Sequence, residues 1–149
     1  RTSNRSLPAP LTIKYVSTEN LIRVSAVVIY DANGHILTVR KRGTSRFMLP
    51  GGKPEAGETA HETALRECEE ELGCTLDPSL LSDIGVYRAA AANESGFEVE
   101  GAVFVYSGSL EVTATAEIDE IRWLDPTAVP LPDDLAPLLE HRVLAVLAS

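Results

Sequence analysis

The sequence predicts an α/β fold in which helices pack on a mixed β-sheet, and three observations carry that expectation. Residues 22–30 are rich in Val and Ile and read as a buried strand. Residues 59–73 read as a helix with marked ends: Thr59 and Glu62 have the spacing of a capping box, and Gly73 follows Leu72 as a terminator. Residues 80–92, 97–107 and 118–124 read as further strands, at spacings that permit a mixed sheet rather than a simple meander. A chain of 149 residues, 44% of them hydrophobic, suits a single domain spanning 1–149 with room for a core.

Taken in order, residues 1–10 are polar and proline-bearing and read as a flexible terminus. Residues 11–17 alternate loosely, as an edge strand does. After the strand at 22–30, Asp31-Ala32-Asn33-Gly34 is a turn signal, and residues 35–41 return as the second arm of a hairpin. The strands at 80–92 and 97–107 join around Asn93-Glu94-Ser95-Gly96. Beyond the strand at 118–124, Asp133 or Asp134 is placed to cap a final helix with Leu135, Leu138, Leu139, Val143, Val146 and Leu147 on its apolar face.

Charge and cysteine usage exclude several classes. A net charge of −9 argues against nonspecific binding to nucleic acid or to an anionic membrane. No apolar run approaches the roughly 18–20 residues that span a bilayer. Cys68 and Cys74 lie on the order of 9 Å apart by helical rise, too far for an easy disulfide, which suits a reducing cytoplasm.

The helix at 59–73 carries the chemistry. Ala60, Ala64, Cys68 and Leu72 recur every four residues and make a narrow apolar stripe. Off that stripe Glu67, Glu70 and Glu71 share a face, at a cost of roughly 0.2–0.5 kcal/mol for each like-charged pair. A solvated acidic face relieved by four-residue ion pairs, Glu62 with Arg66 and Arg66 with Glu70, is one reading. The other is a seat for a hard divalent cation such as Mg²⁺, which takes oxygen ligands and completes its shell with substrate phosphates.

The spacing decides between them. Gly52, five residues, Glu58, seven residues, Arg66-Glu67, Cys68, one residue, Glu70-Glu71, one residue, then Gly73 and Cys74 resembles the Nudix box of the Nudix hydrolases. Every charged and glycine position of the pattern is filled. Cys68 and Cys74 depart from it, standing where the family carries a larger aliphatic residue, and cysteine behaves there as a small hydrophobe. Leu49-Pro50-Gly51 and Trp123 are also similar to the family.

The resemblance implies a Nudix fold, an α/β/α sandwich around a mixed central sheet. It implies Mg²⁺, replaceable by Mn²⁺, held by Glu67, Glu70 and Glu71, with a backbone carbonyl of Gly51 or Gly52 joining the shell. Arg66 would orient Glu67, and Glu58 would be structural or act from behind Arg66. A basic residue, Arg40 or Lys41, would contact substrate phosphate. Glu117 would bring a further carboxylate from a loop opposite the helix, with Glu120 competing for the role. Pro132-Asp133-Asp134 is similar to a base-contacting segment of oxidised-purine triphosphatases, but Leu131 stands where those carry tryptophan, and capping accounts for the aspartates without a ligand. His61 reads as a surface residue of the helix.

The implied reaction is hydrolysis of a pyrophosphate bond in a nucleoside diphosphate linked to a group X, with Glu67 as first choice of base and Glu117 or Glu120 as second. A nucleoside triphosphate, canonical or oxidised, is favoured as substrate; ADP-ribose or a nucleotide sugar is the alternative, and a non-catalytic nucleotide-binding regulator a further one. Phe47, Tyr87, Phe97, Phe104 and Tyr106 are the aromatic residues available for stacking on a base, with core packing the commoner use. Relatives dimerise, so a homodimer is allowed, although no stretch marks an interface.

Overall fold

The computed structural model describes residues 20–149. The terminus read as flexible at 1–10 and the edge strand expected at 11–17 lie outside the described residues.

The organising strand is β1, Leu21–Ile29, which pairs in parallel along its length with β5, Glu98–Tyr106. On the far side of β5 runs β4, Leu81–Ala90, antiparallel to it. The opposite edge of β1 takes a two-residue strand, β3, Gly51–Gly52, giving a four-stranded mixed sheet in the order β3-β1-β5-β4. A second, two-stranded sheet joins β2, Ile36–Lys41, to β6, Ile118–Leu124, in antiparallel register.

The strand period of two sorts β1 between two layers. Val27 and Ile29 face helix α1, Ala60–Leu72, and pack with Ala64, Cys68 and Leu72. Ala26 and Val28 face the other way, onto Leu138, Leu139, Val143 and Leu144. Those residues belong to the C-terminal helix, which has a π-helical turn at Leu139–Val143 and continues as α2, Leu144–Ala148. The result is the expected α/β/α layering.

Three expectations are corrected here. The turn after β1 forms as expected: Asp31 Oδ1 accepts from the backbone N–H of Asn33 (2.8 Å) and of His35 (2.9 Å). The hairpin beyond it does not, because Tyr30 and Ile36 make a single β-type pair before β2 leaves for β6. Both edges of β1 are already occupied, by β5 and by the Gly51 turn, where the Val27 N–H donates to Pro50 O at 3.0 Å. The buried face of α1 also differs from the stripe read at four-residue spacing. Ala60 is exposed, while Thr63 and Glu71 are buried beside Ala64, Cys68 and Leu72. Finally, no side chain caps the C-terminal helix, since the Asp134 carboxylate is taken by Arg122 instead, through bonds of 3.1 and 2.6 Å.

Candidate active site

The site is built on the later turns of α1, which carry Glu67, Glu70 and Glu71, and on the glycine turn that faces them. Thr59 Oγ1 accepts from the Glu62 N–H (3.1 Å), and the Glu62 carboxylate accepts from the Thr59 N–H (2.9 Å), closing the expected capping box. Committed to that box, Glu62 makes no ion pair with Arg66, contrary to the four-residue pairing expected. Gly73 ends the helix at φ 67°, its N–H donating to Glu69 O at 3.0 Å.

Arg66 instead grips Glu58. Its Nε and Nη2 donate to the two carboxylate oxygens at 2.6 and 2.9 Å, and Nη2 also donates to Lys53 O at 3.0 Å. Glu58 further accepts from the Glu55 N–H (2.8 Å) and from Thr63 Oγ1 (2.9 Å). Hydrogen bonding from Arg66 above all lowers the Glu58 carboxyl to about 2. The remaining guanidinium nitrogen, Nη1, donates to Glu67 Oε2 (3.1 Å) and to Glu70 Oε1 (3.2 Å). One planar fork thus aligns both carboxylates, which a point-charge ammonium could not do.

The glycine pair makes room for this. A Cβ on Gly51 would lie 1.9 Å from Ser25 O, and its φ of 150° is closed to most side chains. A Cβ on Gly52 would lie 2.5 Å from the carboxyl carbon of Glu67. Only a turn without side chains lets β1 and the Glu67 carboxylate approach it from opposite sides.

Glu71 sits behind the others, its side chain 1% exposed and in contact with Lys41 Nζ at 3.0 Å. Its Oε1 accepts from the Gly51 N–H at 3.1 Å. Burial pushes its carboxyl up to about 7, against the lowering pull of Lys41 and the Gly51 N–H. Burial also raises Glu67, opposed by Arg66 and Lys41.

Across the cleft, Glu117 arrives on the loop before β6. The Arg42 N–H donates to Glu117 O at 2.9 Å, Arg42 Nη2 donates to Ala116 O, and the Gly43 N–H donates to Asp119 Oδ2 at 3.2 Å. The register shift between Arg40 and Lys41 leaves Asp119 as an extra residue on β6, a bulge that turns the loop toward α1. The same loop satisfies carbonyls that the end of α1 leaves open: the Thr113 N–H donates to Leu72 O (3.1 Å) and the Thr115 N–H to Glu71 O (3.2 Å).

Glu67, Glu70 and Glu117 therefore bring carboxylate oxygens within 4.8 Å of one another. Three hard oxygen donors from two elements suit a small divalent cation. A cleft of about 390 Å³ runs from this group and Lys41 over Val24 and Ala26 to Asn93 and Glu94.

The other sequence-derived residues fall outside that group. Glu120 turns to Arg40, 3.5 Å away. Arg40 also bonds Thr44 O at 3.0 Å and does not line the cleft, so only Lys41 of the basic pair does. Asp133 and Asp134 do not line it either. Of the aromatic residues, Phe47, Phe104 and Tyr106 are core, and the Tyr87 hydroxyl donates to Ile84 O at 2.6 Å. His61 is half-buried, edge-on to Phe104 at 5.7 Å, rather than a surface residue. The tie from Lys41 to Gly51 and Glu71 has no signal in the sequence, where Glu71 reads as one of three equivalent acids.

Comparison with known proteins places the chain among others of one family. A Bacillus subtilis (strain 168) protein provisionally named an 8-oxo-dGTP diphosphatase is 29% identical over 105 residues, covering 70% of this chain and 67% of its own. An ADP-ribose pyrophosphatase of Methanocaldococcus jannaschii is 29% identical over 105 residues, 68% of this chain and 61% of that protein. The chain thus spans about two thirds or less of these relatives' lengths. A crystal structure of a MutT NUDIX hydrolase from Burkholderia pseudomallei superposes with a TM-score of 0.67 at 22% identity, covering 86% of this chain and 96% of that one. The NUDIX domain profile matches residues 20–144, and the chain belongs to the NUDIX family.

Proposed function

We propose that this chain is a Mg²⁺-dependent hydrolase that cleaves a pyrophosphate bond in a nucleoside diphosphate linked to a group X, a nucleoside triphosphate being the favoured form. The observation that carries the reading is the convergence of Glu67, Glu70 and Glu117 at one end of a substrate-sized cleft, within reach of a buried Glu71 and Lys41. Glu67, Glu70 and Glu117 would hold the cation, and Glu71 and the Gly51 carbonyl would join its shell. A divalent cation held there neutralises phosphate charge and lowers the pKa of bound water.

The protein's own groups do the rest. Arg66 holds Glu67 and Glu70 in a fixed relation through one guanidinium. Glu67 takes a proton from the attacking water as its oxygen bonds to phosphorus, and the anhydride P–O bond breaks to release the second phosphoryl group. Lys41 supplies counter-charge to the phosphates, and the aliphatic floor around Val24 and Ala26 receives the organic part.

ADP-ribose remains the second reading, favoured by the resemblance to the Methanocaldococcus protein. The test is a panel of canonical and oxidised deoxynucleoside triphosphates, ADP-ribose, nucleotide sugars and diadenosine polyphosphates, incubated with Mg²⁺. Release of phosphate, pyrophosphate or a nucleoside monophosphate from any of them is the expected result. Failure of the whole panel with both Mg²⁺ and Mn²⁺ would leave a nucleotide-binding domain without hydrolysis.

A further inference from the structure

Lys41 closes β2 with its ammonium already bound to two oxygens of the site. Its Nζ donates to Gly51 O at 2.7 Å and lies 3.0 Å from Glu71 Oε2. Both oxygens are held from behind: the Gly51 N–H is tied to the other oxygen of the same carboxylate, and the turn itself is wedged against Ser25. A backbone carbonyl and a buried carboxylate, fixed side by side, are the donor types that small hard cations select. An ammonium is a compact charge able to occupy the same donors. Unlike those oxygens, Lys41 has freedom to leave, since its side chain is 30% exposed and lines the cleft.

We propose that Lys41 is a built-in competitor for the divalent cation: its ammonium rests on Gly51 O and Glu71 until a divalent cation claims those oxygens, and the displaced ammonium then binds the substrate's phosphate. The inference rests on the metal-dependent reading above and gives Lys41 two positions in one cycle. Two cations cannot both be fully served by one carboxylate oxygen, so the cation and the resting ammonium disfavour each other. A phosphate that accepts the displaced ammonium removes that conflict. Cation and substrate consequently bind with positive coupling, each tightening the other, and Lys41 keeps the protein from holding the cation tightly when no substrate is present.

The test follows the reactivity of the lysine amine in the intact chain. The protein is acylated briefly with a water-soluble N-hydroxysuccinimide ester in EDTA, in saturating Mg²⁺, and in Mg²⁺ with methylenediphosphonate, a pyrophosphate analogue that cannot be hydrolysed. Lys41 and Lys53 are then quantified by peptide mass spectrometry, and Mn²⁺ binding is measured separately by electron paramagnetic resonance. Release of one charge-assisted contact predicts that Mg²⁺ raises the Lys41 rate about tenfold, with Lys53 unchanged, and that the diphosphonate returns it toward its starting value. A Lys41 rate that is unchanged or lowered by Mg²⁺, in protein shown to bind Mn²⁺, overturns the proposal while leaving the hydrolase reading intact. Absence of Mn²⁺ binding overturns both, and the substrate panel then reports independently on hydrolysis.

Discussion

Arg66 and Arg122 each grip a carboxylate with two nitrogens, yet they do so over different lengths of chain and for different ends. Arg66 reaches Glu58, Glu67 and Glu70, none more than eight residues away. Arg122, on β6, meets Asp134 twelve residues on and stacks 3.7 Å from the ring centroid of Phe47, which belongs to a distant segment. Phe47 is itself tied to that segment, its N–H donating to Asp134 O at 2.8 Å and its O accepting from the Ala136 N–H at 2.8 Å. The first arginine arranges Glu67, which lines the cleft, and Glu70 beside it. The second staples together β6, Phe47 on the segment leading to the active-site turn, and the entry to the C-terminal helix. An ion pair is thus read by what surrounds its carboxylates: a common opening into a cleft in one case, a buried aromatic ring in the other.

The two arginine clusters should differ most in their effect on turnover. Glu67→Gln removes the proposed base and is expected to cut kcat by about 10²–10⁴-fold, with Glu70→Gln close behind. Circular dichroism and the thermal midpoint should barely move, because among the described residues the carboxylates of Glu67 and Glu70 make one bond each, to Arg66. Asp134→Asn should do the reverse, lowering the midpoint while leaving kcat near the wild-type value. Steady-state kinetics alongside thermal melts of the three variants check this. Equal turnover in Glu67→Gln and Asp134→Asn would erase the distinction between the two clusters.

The same contrast explains what was legible beforehand. Everything around Arg66 is encoded within a few helical turns, so the capping box, the Gly73 terminator and the Glu67–Glu70 face are visible as residue types at short, regular spacing. The strand at Ile118–Leu124 was legible too, from Ile118, Ile121, Trp123 and Leu124 in a short run just ahead of the Asp125-Pro126 turn. What the sequence did not disclose depends on which distant partner arrives first. The Asp31 turn looks like a hairpin, but whether β2 stays on β1 is decided by β5 and the Gly51 turn occupying both edges. Glu62 looks available to Arg66 until the Thr59 N–H claims it. Asp134 looks like a helix cap until β6 brings Arg122 to it. Glu71 reads as one of three equivalent acids, and only the packing of α1 on β1 shows that it points inward toward Lys41.

That inward position carries a pH signature of its own. The Glu71 carboxyl rises from its ordinary 4.5 to about 7, so between these values the native state binds more protons than the unfolded chain. Stability therefore falls as pH rises through this window, and the deficit is complete above it. A shift of this size is worth roughly 3 kcal/mol. Glu67 is displaced in the same direction and adds to the slope. Glu58 is displaced downward, so its contribution is lost only as pH falls from its ordinary value toward 2, outside the window. Urea unfolding of the protein in EDTA from pH 4.5 to 8 should show the decline, and Glu71→Gln should flatten most of it. A flat profile in the wild type would mean that Lys41 and the Gly51 N–H fully offset the burial.

The smallest expected effect is also the sharpest discriminator. Arg66→Lys and Arg122→Lys preserve charge and remove the planar fork. At Arg66 the lost fork lets Glu67 and Glu70 drift relative to each other. Partners that orient metal-binding groups typically matter by about 10–100-fold in affinity, so Mn²⁺ binding should weaken on that scale. The fold should persist, because Glu58 keeps its bonds to the Glu55 N–H and Thr63. At Arg122 the loss falls on Asp134 and on the stacked face of Phe47, a cation–π contact worth about 0.5–2 kcal/mol. Half-exposure of the ion pair holds its own share low, so destabilisation of about 1 kcal/mol with unchanged Mn²⁺ affinity is expected. Measured together, the two conservative substitutions separate along perpendicular axes, affinity for one and stability for the other. Weakened Mn²⁺ binding in Arg122→Lys would show instead that the staple on β6 also sets the position of Glu117, which lies on the loop leading into that strand.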